Sequence, residues 1–176
     1  MIEVQIMRRS SIYLLVSVVF TLIFSPAASG TNNNGWRTGT NSTISFGQCN
    51  LTSLFHTAAH DVDVQVESTQ VTTTLLHSCD DGETRVFDFA YDSAFFGKWE
   101  CHQFAGNICV MGHVHIDLVD PPGGSYSDVE AQSLMCEEIG HSVSLAHSSE
   151  NGSCMSQQWD EQNLSTHDKG VINSVY

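Results

Sequence analysis

The sequence predicts a small mixed domain of the α/β (α+β) class, and three observations carry that expectation. Apolar and polar residues alternate over residues 62–66 and 114–118, the period of a half-buried strand. Over residues 127–143 apolar residues instead recur every four positions, at Met135, Ile139 and Val143, with Val129 and Cys136 beside them. That is the period of a helix with one apolar face. The two patterns interleave along the chain, which favours a sheet covered by helices.

The elements follow in order. Residues 1–30 read as a signal peptide. Arg8 and Arg9 are followed by an apolar run over 12–24, then by the small residues Ala27, Ala28, Ser29 and Gly30. The run is short of the roughly 20 apolar residues that a spanning helix needs. The remainder, residues 31–176, is one domain's worth of chain. Residues 31–47 are polar and rich in Gly, Asn and Thr, and read as a loose lead-in. Leu51, Leu54, Phe55 and Ala58 fall at helical spacing, with Asn50 as candidate cap. Val62, Val64 and Val66 then alternate as a strand, 71–77 reads as another, and Asp80-Asp81-Gly82 is a turn before a third strand over 85–90.

Residues 99–109 are polar, bracketed by Cys101 and Cys109, and read as a surface loop. Val114, Ile116 and Leu118 alternate with His113, His115 and Asp117 in a strand that residues 121–124, Pro-Pro-Gly-Gly, terminate. The row His113, His115, Asp117 reads as the polar face of an edge strand, with a second metal site as the alternative. Ser127 and Glu130 form a capping box at the start of the strongest helix. Ser165 and Asp168 do the same for a last helix, which favours capping over a catalytic His167–Asp168 pair.

Charge excludes some partners. The chain carries 6 Lys+Arg against 20 Asp+Glu, a formal net charge of −14. Nucleic acids and anionic membrane surfaces both demand a positive footprint, so neither is an expected partner. The six cysteines, Cys49, Cys79, Cys101, Cys109, Cys136 and Cys154, all follow the signal segment. An even count behind a signal peptide reads as disulfides in an extracellular protein.

The chemistry concentrates in residues 136–147. Glu137 and His141 lie four apart and share a helix face, roughly opposite the apolar stripe, with Glu138 on its flank. The helix should stop three residues beyond His141, so a chain turning back can deliver His147 as a third ligand. Three protein ligands with one position left for water make a catalytic zinc site, and a neighbouring Glu can take that water's proton.

This segment resembles the metzincin signature His-Glu-x-x-His-x-x-Gly-x-x-His with its downstream Met-turn. The resemblance implies zinc held by Glu137, His141 and His147, with Glu138 as general base and Met155, after Ser153-Cys154, as the Met-turn residue. More closely, residues 86–176 resemble small secreted metzincin-like proteins of actinobacterial type. Those share the Cys before the motif, the Ser-Cys-Met after it, and a tail matched here by Ser165, His167, Asp168, Ile172, Asn173 and Tyr176. The implied fold is a twisted mixed sheet with an active-site helix, a Met-turn and a C-terminal helix. A Cys136–Cys154 disulfide would then pin the Met-turn to the zinc helix, Cys101–Cys109 would close a small loop, and Cys49 with Cys79 is the remainder.

Two positions depart from the signature: Glu137 stands where the first His is expected, and Ser144 where the Gly is. Two His plus one Glu is an established catalytic zinc set, although a charged ligand acidifies bound water less than a third imidazole would. Ser144 must turn the chain at a cost of roughly 1 kcal/mol relative to Gly. Two functions are therefore carried forward. One is a secreted, monomeric zinc metalloendopeptidase acting on extended polypeptides. The other is a non-catalytic, disulfide-stabilised binding domain of the same fold.

Overall fold

The computed structural model describes residues 35–39, 41–91, 95–119, 121 and 124–176. The expected signal segment, and residues 122–123 of the expected strand terminator, lie outside the described residues. Among those described, no helix is long and apolar enough to cross a membrane.

Six strands form one mixed sheet: β1 (Arg37–Thr38), β2 (Thr43–Cys49), β3 (Thr72–Leu76), β4 (Thr84–Phe89), β5 (Gly97–Ala105) and β6 (Ile108–Asp117). The parallel part runs in the order β1-β6-β4-β2-β3, and β5 adds to β6 antiparallel. Among the described residues three α-helices accompany it: α1 (Ser53–Glu67), α2 (Asp128–Ser142) and α3 (Thr166–Val175). The core lies between the sheet and the helices. It joins Ile44, Phe46, Val86, Val114 and Ile116 from the strands to Phe55, Val62, Val66, Met135 and Ile139 from the helices.

Several expectations are corrected. Residues 62–66 are not a strand but the second half of α1. Val62 and Val66 are four apart, so they share one buried face with Phe55 and Ala59, while Val64 is 54% exposed. Asn50 does not cap this helix. It takes a left-handed turn, φ 59°, at the end of β2. Thr52 is the cap residue instead, its backbone N–H and its hydroxyl both donating to Asp88 Oδ2 at 2.8 and 2.6 Å. The described part of the lead-in is not loose, since β2 pairs with both β3 and β4 and buries Ile44 and Phe46 completely.

Finally, residues 99–109 are no loop. They belong to the β5–β6 hairpin, which turns at Gly106, φ 66°, and is bridged by Cys101–Cys109. β5 is polar because it is the edge, which also makes β6 an interior strand rather than the expected edge strand.

The two helix termini read from sequence are present. Ser127 Oγ accepts from Glu130 N, and the Glu130 carboxylate accepts from Ser127 N at 2.8 Å. Ser165 and Asp168 form the equivalent box on α3. Val129, expected on the apolar face of α2, is 39% exposed, while Met135, Cys136, Ile139 and Val143 are fully buried. At the far end, α3 is tied to β1. Arg37 donates to Val175 O at 2.9 Å and the Tyr176 hydroxyl to Thr38 O at 2.9 Å.

Candidate metal centre

The last turn of α2 carries Glu137 and His141 on one face, and the chain beyond it reverses within a few residues. Val143 ends the helix, and Ser144 adopts φ 83°, the left-handed turn for which the signature uses glycine. Leu145 N then donates to Gly140 O at 3.0 Å, closing the reversal. His147 is thereby returned to the helix face. Its Nε2 lies 3.1 Å from His141 Nε2 and 3.1 Å from Glu137 Oε1. One ligand atom from each of the three residues lies within 4.8 Å of the others.

These donors suit a zinc ion. Zn–N bonds of about 2.0–2.1 Å in a tetrahedron place ligand atoms roughly 3.3 Å apart, close to the spacing here. The tautomer suits it as well. His141 Nδ1 lies 2.8 Å from the Leu145 carbonyl, which can only accept, so Nδ1 carries the proton and Nε2 presents its lone pair inward. Burial above all, opposed by the Leu145 carbonyl and aided by His147, pulls the His141 pKa down and so favours the neutral ring, the form that binds metal. Burial raises Glu137, while His147 draws it back.

Glu138 sits one residue along, against the edge strand. It is only 5% exposed, and its Oε2 is buried without a hydrogen-bond partner. A Cβ on Gly97 would come within 2.7 Å of Glu138 Oε1, so only glycine at the head of β5 leaves room for this carboxylate. Burial first, then the charge of Glu137, holds the Glu138 carboxyl well above the usual carboxylate range, partly offset by a hydrogen bond from the Trp99 backbone. A cavity of about 220 Å³ opens beside the two glutamates, walled by Phe95, Phe96, Leu134 and Trp159.

The floor of the site is a 3-10 turn, Cys154–Ser156, with Met155 fully buried. Met155 Sδ lies directly under Gly140, where a Cβ would strike it. Met155 O accepts from Ser148 N at 2.8 Å, next to His147, and Cys136–Cys154 joins the turn to the helix. The other two bridges are Cys49–Cys79 and Cys101–Cys109. A prediction follows for Gly140→Ala. Helix propensity alone would stabilise by about 1 kcal/mol. Contact with Met155 costs about 1–3 kcal/mol of overpacking and reverses the sign, so a net loss of up to about 2 kcal/mol, seen as a lower denaturant midpoint, is expected. A stabilised variant would show that Met155 is free to move aside.

Some neighbours were not legible in the sequence. Gln157 Nε2 lies 3.3 Å from His147 Nε2, placed there by a left-handed turn at φ 61°. Ser153 Oγ donates to Asp168 Oδ2 at 2.7 Å, so the carboxylate that caps α3 also holds the 3-10 turn that carries Met155. Gln157 lies outside the resembled pattern; Ser153 and Asp168 both belong to it, but no periodicity in the sequence relates them to one another. Asp117, grouped with His113 and His115 in the sequence, is occupied elsewhere: its Oδ1 accepts from Tyr91 N and Val119 N at 3.0 and 2.9 Å.

No family model matches the chain, and no curated protein matches it by sequence. Solved structures do resemble it. A structure of myroilysin is similar with a TM-score of 0.56 at 14% identity, covering 84% of this chain and 98% of that one. A crystal structure of myroilysin gives a TM-score of 0.40 at 16% identity over 65% of this chain and 48% of that one, too weak a likeness to argue from. At such identities the similarity is one of architecture: this chain is a small α+β domain whose fold is similar to that of myroilysin.

Proposed function

We propose that this chain is a secreted zinc-dependent metalloendopeptidase. The observation that carries the reading is the convergence of Glu137, His141 and His147 beside a buried, partnerless Glu138 carboxylate oxygen. The fold supports it, being shared with myroilysin, a metallopeptidase. Three disulfides, and the export-like segment at residues 1–30, support an extracellular setting. The finer kinship with small secreted metzincin-like proteins rests on the Cys136 and Ser153-Cys154-Met155 pattern.

Zinc held by Glu137, His141 and His147 would supply Lewis-acid polarisation of a peptide carbonyl and acidify water. The chain's own residues do the rest. Glu138 takes a proton from the attacking water on a carboxylate oxygen and passes it to the leaving amine. Its burial makes it a stronger base than an exposed carboxylate. The substrate lies extended along β5, the sheet edge that runs past Glu138, held by main-chain hydrogen bonds as an added strand. An apolar side chain of that substrate enters the cavity between Phe95, Phe96, Leu134 and Trp159.

The test is zinc content and hydrolysis of unstructured polypeptide by the disulfide-bonded domain, wild type against His141→Ala. Turnover that depends on zinc and vanishes in the variant is expected. Wild-type protein that takes up no zinc from excess metal would sink the reading and leave the non-catalytic binding domain in its place.

A further inference from the structure

On the sheet, away from the core, three histidines meet that the proposed reaction does not use. His113 and His115 alternate with Val114 and Ile116 along β6. Since the valine and isoleucine are fully buried among the helices, the histidines stand on the opposite face. His102 joins them from β5, its ring centroid 3.9 Å from that of His113. The hairpin register slips at this point: Cys101 faces Gly112 and Gln103 faces Met111, leaving His102 without a partner residue. Bulges of this kind re-aim a side chain. One ring nitrogen from each of the three histidines lies within 4.8 Å of the others.

The geometry points to a second metal site here, in which His102, His113 and His115 bind a divalent cation of the zinc class, with the Glu100 carboxylate as fourth donor. Four observations support it. The Nε2 atoms of His113 and His115 are both buried without a hydrogen-bond partner, an arrangement that costs free energy unless something accepts their lone pairs. His115 Nδ1 lies 2.8 Å from the Tyr91 hydroxyl, which can fix the tautomer and leave Nε2 to the metal. Glu100 is paired directly across the hairpin from His113. Its Oε1 is 3.0 Å from His102 Nε2 and 3.5 Å from His115 Nε2.

The remaining charges near the cluster are Lys98, which binds the other Glu100 oxygen at 2.7 Å, and Arg85, whose guanidinium donates to Asp80 O at 3.1 Å. Both act against protonating the imidazoles. Three imidazoles and one carboxylate are a zinc or copper donor set, too rich in nitrogen for calcium or magnesium.

The site would have a structural role at the cleft. β5 is the edge strand that places Gly97 and the Trp99 backbone against Glu138, and it continues directly into Glu100 and His102. A cation bridging His102 to β6 would lock the bulged edge in register.

The two sites are separable by mutation. The full disulfide-bonded domain, stripped with chelator and titrated with zinc chloride by calorimetry, should bind about two zinc ions per chain, and His141→Ala about one. In the His141→Ala background, His102→Ala and His113→Gln should each weaken the remaining event at least about tenfold. His102 lies exposed on the edge strand, so its replacement leaves the core intact. No zinc binding in His141→Ala, or binding that neither histidine replacement changes, overturns the second site without touching the first. Binding lost with His102 but indifferent to His141 overturns the catalytic reading instead.

Discussion

Glu138→Gln should lower kcat for peptide hydrolysis by about 10²- to 10⁴-fold, the usual weight of a positioned general base, with bound zinc unchanged. Glutamine keeps the shape that fits against Gly97, but an amide cannot take the proton. None of the three candidate ligands is touched. Stability should hold or rise, because the substitution removes a buried carboxylate that lies next to Glu137 and has one oxygen without a partner. Loss of turnover without loss of fold or metal is the signature that separates a base from a structural residue. Turnover at the wild-type rate would exclude Glu138 from the reaction, and with it the mechanism proposed above.

Cys136→Ala combined with Cys154→Ala should cost about 3 kcal/mol of stability, from the entropy of an unfolded chain no longer closed across 18 residues. Alanine is chosen because both cysteines are fully buried and a serine hydroxyl would be stranded there. The effect should reach the metal centre. Cys136 precedes Glu137 and Cys154 precedes Met155, so this bridge ties the ligand-bearing helix to the turn beneath it. Zinc affinity should fall about tenfold or more, as when other supports around a metal are removed. Removing Cys101 and Cys109, which close a loop of only 8 residues, should cost less, about 2.5 kcal/mol. Denaturant midpoints and zinc titrations of the two double variants decide the matter. An equal zinc affinity in wild type and the Cys136/Cys154 variant would show that the Met-turn is held by Ser148, Ser153 and Asp168 alone.

The helix that carries Glu137 and His141 was legible because every part of it is local. Its cap needs only Ser127 and Glu130, its buried face needs only a four-residue period, and the relation of Glu137 to His141 follows from helix geometry. The return of His147 was legible for a related reason: a helix ending at Val143 and one left-handed residue at Ser144 suffice to reverse the chain. The cap of α3 is of the same kind.

What remained hidden depends on partners distant in the chain. Val62, Val64 and Val66 satisfy a strand and a helix equally well over so short a run. Burial of Val62 and Val66 against the sheet chose the helix. The polar β2 became a central strand because β3 and β4 flank it, and the polar 99–109 stretch became an edge because only one side of β5 is paired. Met155 under Gly140, Asp168 on Ser153, and His102 beside His113 and His115 join segments that no periodicity relates. Residue types and local spacing were enough to name the candidate ligands that the structure brings together and the helix that bears two of them. The wall, the floor and the second histidine cluster arose only when non-local strand pairing and packing brought those segments within reach of one another.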